Sequence, residues 1–307
     1  MRAKESMVTV GIPTLEREAV LLDTIEMVLG QDYKDFEVIV ADQTVEHQPE
    51  FLNQVKSMVE RDKRLRYFLI QPQNLPAARN FIIAETKGQL VLFLDDDVKL
   101  KPDFISRHVA LHRQHPEARV VVGRINQKSL PPSSRPLYFD KYGLPQGTFN
   151  SPANEPATTI NGANLSLPTN VIKSIGGFHT AYAHSAIREE SDTGYRLVKA
   201  GYKIFYSGDT ELVHLAASSG GTRIYTAQFD NLRFYINDLL FMLRTVRPIY
   251  LPVSIFKRLR IYSGGSGLIS LRRFKRIGLF WLGLVAALWT YIFRERNFSV
   301  KLVRQIT

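Results

Sequence analysis

Residues 90–97 read Leu-Val-Leu-Phe-Leu-Asp-Asp-Asp, an apolar run of five residues that ends in three consecutive carboxylates. Such a short apolar run is typical of a strand buried on both faces of a parallel sheet, and ligands bind at the carboxyl ends of these strands. Adjacent carboxylates repel one another unless a cation or hydrogen-bond donors compensate their charge. Carboxylate oxygens suit Mg²⁺ or Mn²⁺. The segment therefore predicts a buried strand followed by a metal-binding turn; the alternative is an acidic turn that caps the next helix.

The sequence around this segment alternates between apolar strands and amphipathic helices. Apolar, β-branched runs predict strands at residues 8–12, 36–41, 65–70 and 90–94, and apolar residues at helical spacing follow the first three of them. This order predicts an α/β fold with a mostly parallel central sheet that helices cover on both faces. The polar residues that follow the strands, and so face the binding edge, are Thr14, Glu16, Asp42, Asp95, Asp96 and Asp97.

The pattern becomes less regular beyond residue 115. Residues 128–156 are rich in Pro, Ser, Gly and Asn, and they indicate a long surface excursion. The remaining predicted elements are strands at 119–122, 160–167 and 203–206, and helices at 168–175 and 191–200. Acidic residues disappear near residue 240. We therefore predict one domain over residues 1–240, with halves of about 1–115 and 116–240, and a helical tail over residues 241–307.

Composition excludes several classes of protein. The chain has 307 residues, 45% of them hydrophobic and 22% charged, so it has ample apolar surface to bury and is not a disordered chain. It contains no cysteine, which excludes disulfide scaffolds, zinc–thiolate sites and cysteine nucleophiles. No apolar run follows the first charged residues, and we expect no cleavable signal peptide.

The net charge of +11 is concentrated near the C-terminus. Residues 1–243 contain 27 basic and 28 acidic residues, a net charge of −1. Residues 244–307 contain 13 basic residues and one acid, a net charge of +12. This asymmetry indicates that the tail meets an anionic surface, either nucleic acid or lipid headgroups.

The tail also contains residues 277–293, a run of 17 residues without a charge. A helix needs about 20 apolar residues to span a bilayer, with about 17 as the lower limit. Basic residues flank the run on both sides, so charge does not choose an orientation. The run predicts a short span, an interfacial helix or a buried core helix. Because a core helix does not explain the positive charge around it, we favour membrane attachment, and an interfacial mode over a span.

Several further residues are candidates for function, each with a structural alternative. Asp42 can accept hydrogen bonds from a nucleobase or a ribose, or it can cap a helix. Arg79 lies on an otherwise small, apolar helix face and can brace an acid or a nucleotide. The acids at positions 189, 190 and 192 suit a general base, although acids also stabilise helix N-termini.

The histidines and one glycine-rich stretch complete this set. His214 follows an apolar pair and can be a metal ligand or a core histidine. His108, His112 and His115 lie at helical spacing, and we interpret them as a solvated helix face rather than a metal site. Residues 218–223, rich in Ser and Gly and ending in Arg223, are flexible enough to close over phosphates.

Taken in order, these motifs resemble the family 2 inverting glycosyltransferases, which have the GT-A fold. The N-terminal matches are VTVGIPT at residues 8–14, VIVAD at 38–42, Ala78-Arg79-Asn80 and LDDD at 94–97. The later matches, in the expected order, are Asn161-Gly162-Ala163-Asn164, Gly176-Gly177-Phe178, the acids of residues 189–192, and His214. The resemblance covers roughly residues 7–215, and the ordered set is more specific than any single motif.

The resemblance implies roles for individual residues. It assigns the nucleotide sugar to Pro13, Thr14, Glu16, Asp42, Arg79, Asp95, Asp96 and Arg223. It assigns a divalent metal, Mn²⁺ or Mg²⁺, to Asp97, Asp95 and His214, and the acceptor to Gly162 and Asn164. Glu190 occupies the position of the catalytic base, where the family usually has Asp. Because of that departure, Glu189 and Asp192 remain alternative bases.

The resemblance also implies a reaction and a location. A sugar would move with inversion from a nucleoside-diphosphate donor, with UDP favoured, to a hydroxyl of a glycan or a polyprenyl-linked acceptor in surface polysaccharide synthesis. The protein would act at the cytoplasmic face of a membrane, with its basic tail on the lipid surface and no nucleic acid as a partner. The alternatives are a nucleic-acid-binding protein with a basic tail, a nucleotidyltransferase, and an inactive glycan-binding relative.

Overall fold

The computed structural model describes residues 7–182, 187–217, 219–221, 231–264, 271–293 and 301–307. Its centre is a sheet of ten strands in the order β12-β3-β2-β1-β4-β10-β6-β11-β5, with β9 paired to β11. The strands are β1 Val8–Thr14, β2 Phe36–Asp42, β3 Leu65–Gln71, β4 Leu90–Leu94, β5 Val98–Lys99, β6 Ala118–Asn126, β7 Tyr138–Phe139, β8 Pro145–Gln146, β9 Asn154–Ala157, β10 Asn164–Pro168, β11 Lys203–His214 and β12 Lys301–Ile306.

The helices alternate with these strands through most of the chain. They are α1 Ala19–Leu29, α2 Pro49–Arg61, α3 Leu75–Glu85, α4 Phe104–Gln114, α5 Thr169–Ser174, α6 Glu189–Lys199, α7 Leu232–Thr245, α8 Leu251–Tyr262 and α9 Leu271–Phe293. Strands β3, β2, β1 and β4 are mutually parallel, as are β6 and β11, whereas β10 is antiparallel to both of its neighbours. The predicted α/β fold with a mostly parallel central sheet is therefore confirmed.

The central strands are apolar throughout because both of their faces are covered. Every residue of β1, β2 and β4 is buried. One core cluster packs α1, α2 and α4 against one face of the sheet, and a second packs α3, α5 and α6 against the other. These two layers bring the carboxyl ends of β1, β2 and β4 to one edge, because parallel strands end on the same side.

Several predicted boundaries differ from the structure. The strand predicted at 160–167 begins only at Asn164, and the strand predicted at 203–206 continues to His214. The long excursion at 128–156 includes the hairpin β7–β8 and the edge strand β9. These strands are two to four residues long, and β8 and β9 contain Pro, so they have no period-two pattern that a sequence could reveal.

The C-terminal region is more closely joined to the domain than a separate helical tail. The predicted boundary at residue 240 lies inside α7, and a third core cluster joins α7, α8 and α9. The predicted helical tail, residues 241–307, contains α8 and α9, but Lys301–Ile306 forms β12 and pairs antiparallel with β3. Its sequence, KLVRQI, includes two basic residues, and charged side chains are typical of edge strands.

Candidate functional site

The three carboxylates that follow β4 contact residues at the carboxyl ends of β1 and β11. Asp97 is fully buried, and its Oδ1 lies 3.2 Å from Nε2 of His214, at the end of β11. The same nitrogen lies 3.2 Å from Oδ2 of Asp95. One ligand atom from each of these three residues lies within 4.8 Å of the others. The structure thus brings together the three side chains for which a shared metal was predicted.

Asp96 points away from this group and makes a buried ion pair. Arg17 Nη1 lies 2.6 Å from Oδ1 of Asp96 and 2.9 Å from Oδ2 of Asp97. Thr14 donates a hydrogen bond of 2.6 Å to the other oxygen of Asp96. Burial nevertheless outweighs the charge of Arg17 and raises the pKa of Asp96 to about 6. Asp96 therefore fixes the loop after β1 and does not join the metal cluster.

Arg17 was missed by the sequence analysis, although it follows β1 by three residues. Its side chain is nearly buried, and its Nε donates to the carbonyl oxygen of Ser219 at 3.1 Å. The signal that could have found it is the rule already applied to Thr14 and Glu16, since loops that follow parallel strands line the binding edge.

The segment after β11 closes over Asp97. The backbone nitrogen of Ala217 donates to Oδ2 of Asp97 at 2.8 Å, and that of Gly221 donates to the carbonyl of Leu15 at 2.7 Å. A Cβ on Gly220 would lie 2.3 Å from the carbonyl oxygen of Glu16, so glycine is required at this approach. Arg223, for which pyrophosphate binding was predicted, lies outside the described residues.

Asp42 ends β2 beside Thr14, its partner in the register with β1. Its carboxylate is almost completely buried and accepts a hydrogen bond from Tyr67 Oη. His47 Nε2 lies 2.9 Å from the same carboxylate, and burial of His47 is outweighed by its bonds to Asp42 and Glu18, so its pKa is raised. Tyr67 and His47 form the surroundings of Asp42 that the sequence did not reveal.

Pro13 and Glu16 lie in the same corner of the edge. Pro13 is buried at the end of β1, whereas Glu16 is exposed and adopts a left-handed backbone conformation with φ of 54°. The Glu16 backbone nitrogen donates to Thr44 Oγ1 at 2.7 Å, which joins the loop after β1 to the loop after β2. Pro13 and Glu16, which were predicted to bind the nucleotide sugar, thus lie near each other at the carboxyl edge of the sheet.

Arg79 joins the acidic turn to the start of α6. Its guanidinium is buried and contacts the carboxylate of Glu189 through Nη1, while Nη2 lies 3.1 Å from Oε1 of Glu190. The same Nη2 lies 3.7 Å from Oδ1 of Asp95, and the guanidinium carbon lies 5.4 Å from the ring centre of Phe178. A guanidinium with acids on two sides braces Asp95 and the two glutamates against one another.

The two adjacent glutamates have different surroundings. Glu189 is fully buried against Arg79, whereas the side chain of Glu190 is partly exposed. Desolvation raises the pKa of Glu190 even though Arg79 opposes the shift. A carboxyl group that keeps an exposed side and binds protons more readily than usual suits proton transfer near neutral pH.

Asp192, the second alternative base, belongs to a separate structural network. It is fully buried, and its two oxygens accept hydrogen bonds from Arg244 at 2.6 Å and Arg196 at 2.8 Å. Although burial opposes ionisation, these two charges lower the pKa of Asp192. A buried carboxylate held between two arginines is a weak base, and its geometry suits the joining of α6 to α7.

Gly162 lies at the site, whereas Asn164 supports it from below. A Cβ on Gly162 would lie 2.1 Å from Arg79 Nη2 and 2.6 Å from Glu190 Oε1, so only glycine permits this contact. Asn164 is fully buried, and its amide nitrogen donates to the carbonyls of Arg124 and Thr210, each at 3.0 Å. Asn164 was predicted to contact the acceptor, but no surface of its side chain is accessible. Its hydrogen bonds instead stabilise the strands beneath the site.

The interpretation of His108, His112 and His115 as a solvated helix face is wrong for His108, which is fully buried, and for His112, which is mostly buried. His108 is fully buried, with hydrogen bonds of 2.8 Å to Ser166 Oγ and 2.9 Å to Asn164 Oδ1. His112 also bonds Ser166, and burial lowers the pKa of His108 to about 3 and that of His112 to about 4. His115 stacks on Phe205 with ring centres 3.8 Å apart. His108 and His112 thus face polar groups of β10, whereas His115, just beyond the helix, packs on an aromatic ring.

Comparison with solved structures supports the fold. A mannosyltransferase, PcManGT from Pyrobaculum calidifontis, solved with GDP-Man and Mn²⁺, has a TM-score of 0.57 at 15% identity, covering 96% of this chain and 89% of its own. GalNAc-T7, solved with UDP, GalNAc and Mn²⁺, has a TM-score of 0.66 at 13% identity, covering 94% of this chain and 57% of its own. The expectation of a GT-A fold is confirmed.

Two relatives by sequence are named as glycosyltransferases. Campylobacter jejuni GalNAc(5)-diNAcBac-PP-undecaprenol beta-1,3-glucosyltransferase is 33% identical over 30% of this chain and 30% of its own length. Haloferax volcanii glucosyl-dolichyl phosphate glucuronosyltransferase is 24% identical over 74% of this chain and 80% of its own length. The chain spans only 15% to 30% of the length of the first relatives that it matches. The sequence model of glycosyl transferase family 2 matches residues 9–162, half of the chain. With the GT-A fold and the acidic edge of the sheet, this match shows that the chain belongs to glycosyl transferase family 2.

Proposed function

We propose that the protein is a metal-dependent inverting glycosyltransferase that moves a sugar from a nucleoside-diphosphate donor, with UDP favoured, to an acceptor hydroxyl. The observation on which this proposal depends is one continuous cluster. Asp95, Asp97 and His214 offer ligand atoms within 4.8 Å of one another, and Arg79 lies 3.7 Å from Asp95 and 3.1 Å from Glu190. The guanidinium of Arg79 thus lies beside both a proposed metal ligand, Asp95, and the proposed base, Glu190.

The side chains fit a divalent cation by their chemistry. Oδ1 of Asp97 is buried and accepts no hydrogen bond from any described residue, although it lies 3.2 Å from His214 Nε2. A carboxylate oxygen and an imidazole nitrogen that face each other in this way are arranged as ligands of a common ion. A metal held by Asp97, Asp95 and His214 would neutralise the negative charge that develops on the departing diphosphate.

In this proposal Glu190 takes the proton from the acceptor hydroxyl. Its partly exposed carboxylate and raised pKa suit that step, while Glu189 stays buried against Arg79 and holds the guanidinium in place. The deprotonated oxygen attacks the anomeric carbon from the face opposite the leaving nucleotide, so the configuration inverts. Gly162 leaves room for Arg79 and Glu190 to meet at the point of transfer.

The proposed acceptor is a glycan or a polyprenyl-linked glycan in surface polysaccharide synthesis. Two relatives bear names that contain undecaprenol and dolichyl phosphate, which are lipid-linked substrates. A third, from Myxococcus xanthus, is named an O-antigen biosynthesis protein and is 23% identical over 69% of this chain. A lipid-linked acceptor would require the active site to lie near a membrane.

The outer surface of α9 is suited to a membrane. Residues at helical spacing, Phe280, Gly283, Leu284 and Ala287, are buried against the domain. The opposite face exposes Trp281, Leu282, Val285, Leu288, Trp289 and Ile292. Basic residues begin the same helix, and an apolar face beside basic residues is typical of helices that bind anionic lipid. We propose that this face lies in the interface at the cytoplasmic side of a membrane.

Two contacts favour an interfacial helix over a span. α9 has the length and hydropathy of a span, yet its middle packs on α7, where a Cβ on Gly283 would lie only 2.5 Å from Tyr235. Beyond α9, the chain returns to the sheet through β12. Because α9 packs on α7 and β12 pairs with the sheet, lipid can reach one face of the helix but cannot surround it.

A thermal-shift screen tests the donor proposal. UDP, GDP and CDP would each be added with Mn²⁺ or with a chelator, to the wild type and to Asp97→Asn. Binding raises the unfolding midpoint by mass action, so we expect UDP with Mn²⁺ to give the largest rise, and Asp97→Asn to lose the metal-dependent part of it. No rise with any nucleotide would contradict the proposal.

A further inference from the structure

We propose that the C-terminal helices position the catalytic carboxylates as well as facing the membrane. In this inference Arg258 of α8 holds Asp238 of α7, and Asp238 holds Arg188, the residue from which α6 and its two glutamates begin. Arg258 is thus a positioning residue. The inference rests on the proposed role of Glu190 as the base.

The first step is the backbone at the start of α6. Arg188 has φ of 73° and ψ of −3°, a left-handed conformation in a residue other than glycine. That conformation is strained in a residue that has a side chain, and it persists only where surrounding contacts impose it. Glu189 and Glu190 follow at once, so the direction in which they leave Arg188 decides where their carboxylates lie beside Arg79.

The second step is the set of contacts that holds Arg188. Its Nε donates to Oδ1 of Asp238 at 2.7 Å. Its guanidinium carbon lies 5.0 Å from the ring centre of Phe139 and 5.9 Å from that of Phe241. A charged bond combined with two aromatic contacts leaves the side chain few alternative positions.

The third step is the fixing of Asp238 by α8. Asp238 is fully buried, and its Oδ2 accepts hydrogen bonds from Arg258 Nε at 2.8 Å and from Tyr262 Oη at 2.6 Å. Burial opposes ionisation, but Arg258 and Arg188 hold the pKa of Asp238 at about 2, so the carboxylate stays charged. An ionised and buried Asp238 depends on both arginines for compensation.

The fourth step is the anchoring of Arg258 itself. The side chain is completely buried, although arginine is seldom fully buried without partners. Nη1 donates to Ser254 Oγ at 2.6 Å and to the carbonyl of Tyr142 at 2.8 Å, and Nη2 donates to the carbonyl of Gly143 at 2.6 Å. Arg258 therefore joins α8, α7 and the β7–β8 hairpin at one point, from which Asp238 extends to the start of α6.

The test uses point variants of the full chain with saturating donor and Mn²⁺. Arg258→Met should lower kcat about 10- to 100-fold, because small displacements of a catalytic group cost rate steeply. The donor KM and the affinity for UDP should stay within about threefold, since Asp42 and Thr14 lie on other elements. Arg258→Lys, which keeps the charge but only one donor group, should recover part of the lost kcat.

Arg66→Met is the matched control. Arg66 also forms two ion pairs, at 3.2 Å with Glu37 and 2.7 Å with Glu85, but it has no contact with α6, α7 or α8 in the described residues. The Arg66→Met variant should have a lower melting midpoint and an unchanged kcat. Equal losses of kcat in Arg66→Met and Arg258→Met would overturn the inference, because the effect would then be one of general stability.

A double variant tests the inference if Arg258→Met does not fold. Asp238→Asn/Arg258→Met removes both charges of the fully buried pair, and Arg188, whose side chain is 15% exposed, loses its charged partner. A wild-type kcat in this variant would overturn the inference. If Glu190→Gln is inactive while both Arg258 variants transfer normally, only the positioning inference is wrong. If Glu190→Gln also transfers normally, the proposed base is wrong.

Discussion

Two buried clusters of charge meet at the start of α6, where Arg188 directly precedes Glu189, and they differ in how completely their atoms are bonded. At the carboxyl edge of the sheet, Oδ1 of Asp97 is buried and accepts no hydrogen bond from a described residue, although it lies 3.2 Å from His214 Nε2. Among the C-terminal helices, Asp238 and Arg258 are equally buried, yet both oxygens of the acid and every guanidinium nitrogen have partners.

We interpret the incompletely bonded cluster at the sheet edge as a binding site, and the fully bonded cluster as a structural one. An unbonded buried polar atom costs free energy, so a fold retains one chiefly where a ligand completes its bonds. A fully bonded cluster needs no ligand and joins elements instead. Variants at the sheet edge should therefore affect transfer, and variants among the fully bonded groups should affect geometry or stability.

The largest effect is expected from Asp97→Asn. The change keeps the shape of the side chain but removes the charge that the proposed metal requires, so transfer should fall to background while the fold survives. Transfer and Mn²⁺ affinity, the latter by calorimetry, would be measured together. Wild-type transfer by this variant in the presence of a chelator would show that Asp95, Asp97 and His214 have a structural role and do not hold a catalytic metal.

Glu190→Gln should give the next largest effect. It keeps the shape of the side chain and removes its basicity, so transfer should fall by roughly the 10²–10⁴-fold that general-base catalysis supplies, with donor affinity nearly unchanged. Single-turnover transfer with a defined acceptor would measure it.

The neighbouring acids provide the control for that prediction. Glu189→Gln should do less, because its buried carboxylate only contacts Arg79. Asp192→Asn should lower stability more than rate, since it leaves Arg196 and Arg244 without their shared partner. If Asp192→Asn abolishes transfer and Glu190→Gln does not, the base is Asp192 and the distinction between the two clusters fails.

The same distinction explains what the sequence could predict. The strand at 90–94 matches β4 at both ends, and the helix predicted at 191–200 lies within two residues of α6, because buried strands and amphipathic helices have periodic apolar patterns. The acids after β4 were also found, since the carboxyl edge of a parallel sheet is a known place to look.

Pairings across the fold had no such signal. Asp238 and Arg258 are 20 residues apart on different helices, and nothing in their local sequence distinguishes them from solvated charges. His108 illustrates the same limit, because helical spacing shows that residues share a face but does not show which face is buried. β12 was missed because its pairing with β3 spans more than 200 residues.

A third prediction concerns the apolar exterior of the C-terminal helices. Val285→Glu/Trp289→Glu places charges on the face of α9, where these side chains are 67% and 61% exposed. Each of the two substitutions removes about 2 kcal/mol of apolar transfer free energy, so the binding of the double variant to vesicles with anionic lipid should fall more than tenfold. Co-sedimentation would measure binding, with Val45→Glu, 72% exposed on the loop after β2, as the control. Equal binding by the double variant and the control would exclude α9 as the membrane surface.

The smallest effect is expected from His108, a fully bonded but neutral group whose role should appear only in stability. Burial lowers its folded pKa to about 3, whereas an unfolded histidine titrates near 6.5. Between these values the unfolded chain binds a proton that the folded chain does not. The stabilisation is therefore complete above about pH 6.5 and is lost as the pH falls toward 3.

The expected loss from His108 is about 1.4 kcal/mol per pH unit in this window, or about 2 kcal/mol between pH 7 and pH 5. His108→Gln can replace hydrogen bonds to Ser166 and Asn164 without titrating, so it should be less stable than the wild type at pH 7 but should lose less stability on acidification. Urea unfolding at the two pH values would measure both quantities, with His115→Gln, a partly exposed residue one position beyond the same helix, as the control. If His108→Gln and His115→Gln lose the same stability as the wild type on acidification, the buried histidine is not the acid-sensitive group. The difference between bonded scaffold and unbonded site would then have no consequence for the pH dependence of folding.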